Sequence, residues 1–115
     1  MTTEDASKKG GFAVLNGSAT PRTEALFAPG PFALSPGVLA MVPLDDVIHC
    51  LFARHIYGDW GNLDRPDRKR NDEALQDGSP VISLYRASNR IKFWIVTEWN
   101  EIGRTWTTVF LSNEW

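Results

Sequence analysis

A chain of 115 residues, 43% hydrophobic and 23% charged, holds one ordinary globular domain and leaves no room for a second. Its formal net charge is −2, with three basic and three acidic residues up to Val42 and nine basic and eleven acidic beyond it. That balance excludes both the bulk basic excess of a phosphate-gripping protein and the acidity of a DNA mimic.

One cysteine, Cys50, excludes an internal disulfide. No apolar run approaches the ~18 residues that span a bilayer. The N-terminus lacks the apolar stretch of a secretory signal, so a reducing cytoplasm is the expected home. The aromatics stand out: of five tryptophans, Trp94, Trp99, Trp106 and Trp115 fall near the end. Such a cluster implies an aromatic core or an adhesive sheet face.

Residues 1–34 read as a flexible N-terminal tail, with three prolines (Pro21, Pro29, Pro31) and scattered apolar residues. Leu26, Phe27 and Phe32 are the side chains that would dock it onto a single domain at 35–115. Ser35-Pro36 is a helix start, serine as N-cap and proline at the first helical position. The turn it opens, residues 37–42, stops before Pro43. A main helix is predicted over residues 44–57, with Leu44, Ile48, Leu51, Phe52 and His55 as its core-facing stripe and Asp45 and Asp46 in its first turn. Gly58 suits the position just past its end. After the turn Gly58-Asp59-Trp60-Gly61, Asp64 caps a second, polar helix over residues 65–76, closed by Asp77-Gly78. Only Ala74 and Leu75 give that helix an apolar edge.

From Ser79 the period becomes two. Val81, Ser83 and Tyr85 alternate with Ile82 and Leu84; residues 91–99 follow, with Ile91, Phe93, Ile95, Thr97 and Trp99 on one face; residues 104–111 make the third strand. Turns at 87–90 and 100–103 are short enough to imply an antiparallel meander. The predicted fold is therefore α+β: two helices and a short N-terminal helical turn, packed on a three-stranded antiparallel sheet.

Arg54-His55, Gly58-Asp59-Trp60-Gly61, Asp67-Arg68, Asn71, Trp94-Ile95-Val96-Thr97-Glu98 and Thr107-Thr108-Val109-Phe110-Leu111 together form a pattern. In these residues the chain resembles a family of short uncharacterised bacterial proteins found on plasmids and integrative elements. They often carry an automatic label as a type I restriction methylase subunit. The resemblance covers residues 35–115 and departs at Ser112-Asn113-Glu114-Trp115, where the family shows Pro-Glu-Glu-Tyr, and at the longer loop Trp99-Asn100-Glu101-Ile102. The label itself does not fit: no Gly-rich cofactor loop and no Asn/Asp-Pro-Pro-aromatic motif occurs, and the chain is too short for the doubly wound fold. What the resemblance implies is a domain boundary and a motif set rather than an activity.

Candidate sites compete with structural roles. His55 is either a general acid/base facing the sheet or a packed helix-end residue bonded to a carbonyl or to Asp59. Asp59 and Trp60 either form a binding element or, respectively, cap the turn and plug the gap between helices and sheet. Tyr85, Thr97 and Arg104, with His55, would make a metal-independent ribonuclease site of the kind found in small helix-then-sheet nucleases of the barnase and RelE type. His49 and His55 lie roughly 240° apart on a helix, so no metal site is expected, and no cofactor motif occurs. Two functions follow. One is an accessory protein binding a protein or nucleic-acid partner through aromatic residues, Asp59, Trp60, Trp94 and Trp106; the other is the ribonuclease. No membrane partner is expected, and a monomer or weak homodimer is.

Overall fold

The computed structural model describes residues 24–114. In chain order these form β1 (Phe32–Leu34), α1 (Pro36–Met41), α2 (Leu44–Ala53), a 3₁₀ turn (His55–Tyr57), α3 (Arg65–Asp77), β2 (Val81–Arg86), β3 (Lys92–Trp99) and β4 (Thr105–Leu111). The class is α+β, as expected, but the sheet is not three-stranded and antiparallel. It has four strands in the order β1-β4-β3-β2, with β2, β3 and β4 antiparallel and β1 parallel to β4.

β1 is the correction. Three residues between Pro31 and the Ser35-Pro36 cap are too few to show alternation, so only the waiting edge of β4 selects them. Phe32, Ala33 and Leu34 pair with Thr107, Thr108 and Val109. Residues 24–31, placed in the expected tail, also pack on the domain: the Leu26 N–H donates to the Ile56 carbonyl at 2.7 Å, and Phe27 meets His55 and Trp99 edge-on. Gly30 permits this docking. Its φ is +67°, and a Cβ there would stand 2.1 Å from the Thr105 carbonyl oxygen. The remainder of the expected tail, residues 1–23, and Trp115 lie outside the described residues.

The helices are anchored by the side chains that start them. Ser35 Oγ accepts the Val38 N–H and donates to Glu114 Oε1 at 2.6 Å, tying α1 to the end of β4. In α2, Asp46 accepts from both the Ser88 N–H and its hydroxyl, pinning the first turn to the β2–β3 loop and holding the Asp46 carboxyl below the usual range. Asp64 Oδ1 accepts the Asp67 N–H at 3.0 Å and caps α3.

α2 is shorter than the predicted 44–57, because Arg54 leaves the α region at φ −129°. The Arg54 carbonyl then accepts from Tyr57 and Asp59, and the tighter turn swings His55 into the sheet. The predicted stripe also divides. Leu51 and His55 are buried, with Val47 and Cys50 beside them, whereas Leu44, Ile48 and Phe52 are 57%, 38% and 43% exposed. The helix is apolar on two sides, and a 3.6-residue period cannot choose between them.

One sheet face carries Val81, Ser83, Tyr85, Phe93, Ile95, Thr97, Thr107 and Val109, all buried. Tyr85, Phe93, Ile95 and Val109 join Val38, Val47 and Leu51 in the main core. The outer edge of β2 is closed without a strand. Asn71, expected only as part of a polar helix, is buried on α3 and pairs with Ile82 through both amide atoms: Nδ2 donates to the carbonyl at 2.7 Å and Oδ1 accepts the N–H at 3.0 Å. Beside it the Leu84 N–H donates to Trp60 and the Leu84 carbonyl accepts from Asn62. Gly61 makes that approach possible, since a Cβ would meet the Leu84 oxygen at 2.1 Å. No helix among the described residues is long and apolar enough to cross a membrane.

Candidate functional site

The predicted site residues fall into two groups, one inside the molecule and one at its surface. Inside, His55 is fully buried. Its Nδ1 lies 2.6 Å from Ser83 Oγ and its Nε2 2.9 Å from Thr97 Oγ1. Thr97 Oγ1 is 2.7 Å from Thr107 Oγ1, which donates to the Pro29 carbonyl at 2.7 Å.

Counting protons along this chain fixes every direction. A carbonyl only accepts, so the single Thr107 hydroxyl proton goes to Pro29. Thr97 must therefore donate to Thr107, and His55 Nε2–H must donate to Thr97. The neutral ring then has a bare Nδ1, which accepts from Ser83. Burial disfavours the charged imidazolium and pushes the His55 pKa down to about 3. Both ring nitrogens are committed, and the edges of Phe27 and Trp60 close on the ring, with centroids 5.3 and 5.9 Å away. This is a satisfied core histidine, with neither nitrogen presented to solvent.

Tyr85 and Thr97 share the sheet face with His55. The Tyr85 hydroxyl donates to the Asp59 carbonyl, and burial pushes its phenol up, away from any acid role near neutral pH. Arg104 is elsewhere. It is exposed in the β3–β4 loop, beside an open cleft of about 480 Å³ that it lines with Phe27, Trp99 and Thr105. The four residues named for a ribonuclease do not converge on one accessible point, as base, acid and phosphate-binding cation must.

Of the residues named for binding, Asp59 accepts Arg54 Nε at 2.8 Å and the Gly61 N–H at 3.1 Å, bonds that hold its carboxyl below the usual range. Arg54 also lies over the Tyr85 ring, 4.7 Å from its centroid. Trp60 is only 5% exposed, wedged between Leu63, Ala74 and Val81. Trp94 is half-buried on the sheet face opposite His55, where Trp106 is 40% exposed. The structure thus spreads Trp60, Trp94 and Trp106 over different sides of the sheet. Among the described residues no three His, Cys, Asp or Glu side chains gather as metal ligands.

A different surface is contiguous. Leu44, Ile48 and Phe52 stand at i, i+4 and i+8 along the outer side of α2. Phe32 of β1, 38% exposed, extends the row by meeting Phe52 edge-on at 5.9 Å. The segment that carries these residues, 32–53, contains neither Lys nor Arg. Sequence reasoning turned all four inward, Leu44, Ile48 and Phe52 as part of the core-facing stripe and Phe32 as a docking side chain of the tail. The available signal was that α2 has more apolar residues than one buried face can use. Comparison of the chain with protein-family models, with curated proteins and with solved structures finds no match.

Proposed function

We propose that this chain is a non-enzymatic accessory protein that binds a macromolecular partner through an apolar, partly aromatic surface made by Phe32, Leu44, Ile48 and Phe52. The observation that carries the reading is the continuous exposure of three large apolar side chains on one helix face, prolonged by an aromatic pair. Contiguous apolar surface of this kind marks an interaction site far more often than isolated exposed residues do. The Phe52–Phe32 ring pair at one end of the row offers the largest apolar contact area on this surface. The ribonuclease alternative draws no support from His55, whose ring is enclosed and neutral.

The test is a comparison of baits. Wild type, Phe52→Glu and Trp106→Glu chains, each checked for an unchanged circular dichroism spectrum, are used to capture partners from cells of the source organism. A partner retained by wild type and Trp106→Glu but lost by Phe52→Glu supports this surface. A partner lost only by Trp106→Glu would move the interface to the opposite sheet face and end the proposal.

A further inference from the structure

We propose that the occupant of this surface is an extended segment of a partner protein, added to the sheet as a new strand beside β1. The segment would carry alternating apolar side chains and a Lys or Arg at the end that reaches α2. The inference rests on the docking reading above and adds the chemistry of what docks.

The sheet has two outer edges, and they differ. That of β2 is closed by the Asn71 amide and by the backbone of Trp60 and Asn62. That of β1 is open among the described residues. The phase of the parallel ladder shows which groups it offers. The Thr107 N–H donates to the Pro31 carbonyl and the Ser35 N–H donates to the Val109 carbonyl. With that spacing it is Ala33 whose backbone faces β4, so the N–H and C=O groups of Phe32 and Leu34 point outward. Two donors and two acceptors, set at a two-residue repeat, match the backbone of an incoming strand.

The side chains beside this edge suit the same guest. Phe32 pairs with Thr107 and so projects on the α2 side of the sheet, where it meets Phe52. An added strand would set every second side chain against Phe32, Phe52 and Ile48. The opposite face of β1 carries only the small, exposed Ala33.

Charge separates a foreign segment from a second copy of this chain. Within residues 32–53 the carboxylates are Asp45 and Asp46, and Asp46 is committed to Ser88. Asp45 is exposed next to Leu44, at the far end of the apolar row. A Lys or Arg on the guest finds a partner there, whereas segment 32–53 of a second copy brings another Asp45 and no Lys or Arg.

The experiment selects short random peptides displayed on phage against the intact chain, with Phe52→Glu as counter-target. Selected peptides are then tested by amide hydrogen exchange on the wild-type chain. The expected consensus alternates apolar and polar residues, includes Lys or Arg, and fails on Phe52→Glu. Binding should slow exchange of the Phe32 and Leu34 amides by about tenfold or more. N-methylation of the peptide's alternate backbone nitrogens should abolish binding.

A consensus with apolar residues three and four apart, still dependent on Phe52, overturns strand addition while leaving the docking surface standing. Peptides that bind Phe52→Glu equally overturn both readings. Three further results would defeat the proposed occupant: no enrichment, Phe32 and Leu34 amides already slow in the chain alone, or a dimer in sedimentation that Phe52→Glu dissociates.

Discussion

Along α2, Val47, Cys50 and Leu51 lie against the main core, while Leu44, Ile48 and Phe52, equally apolar, face outward. The two sides have the same chemistry and opposite surroundings. Inside, the helix continues into His55 and a closed chain of hydroxyls, where each polar group is satisfied by another. Outside, the row ends on an aromatic pair at the edge of β1, the outermost strand among the described residues. A helix that packs on only one layer has one face to bury. Apolar residues on its second face are not explained by folding, which makes them informative about partners.

This contrast can be broken by measurement. The largest effect is expected at Leu51→Ala, which empties a fully buried position in the core. Its unfolding free energy in urea should fall by about 2–5 kcal/mol. A loss below about 1 kcal/mol would mean that the inner side of α2 is not what holds the helix down.

A smaller change should come from pH. Unfolded, His55 takes a proton near 6.5; folded, it resists until about 3. The unfolded state therefore binds more protons in between, and stability that is complete above pH 6.5 is lost as pH falls. The slope is about 1.4 kcal/mol per pH unit, so unfolding free energies from urea titrations at pH 7 and pH 5 should differ by about 2 kcal/mol. Asp46 and Asp59, whose pKa values are lowered from 3.8, act in a separate and lower window. Equal stability at the two pH values would show that His55 is solvated or already charged.

The smallest effect belongs to the outer face. Ile48→Ser should cost no more than about 1 kcal/mol, well below Leu51→Ala, because more than a third of Ile48 already faces solvent. A cost above about 1.5 kcal/mol would place Ile48 in the chain's own core and remove the basis of the docking surface.

Much of the architecture was legible in local pattern. The change of period after Ser79 located β2, β3 and β4, and Ser35-Pro36, Asp64 and Gly78 marked helix ends through capping geometry that acts within a few residues. Asn71 and β1 were illegible for a common reason. Each is defined by a partner distant in sequence, the Ile82 backbone in one case and the edge of β4 in the other. The candidate site suffered most. His55, Tyr85 and Thr97 were candidates for one site, but alternation along a strand fixes neither the register that sets their neighbours nor whether a ring faces water or a hydroxyl.

By itself, then, the sequence determined which segments are helix and which are the three antiparallel strands, because caps, glycines and periodicity are short-range effects. Tertiary structure alone decided the fourth strand, the neutral state of His55 and which side of α2 meets solvent. Those depend on what packs against a residue from far along the chain, and hydrophobic burial has no direction until that neighbour is in place.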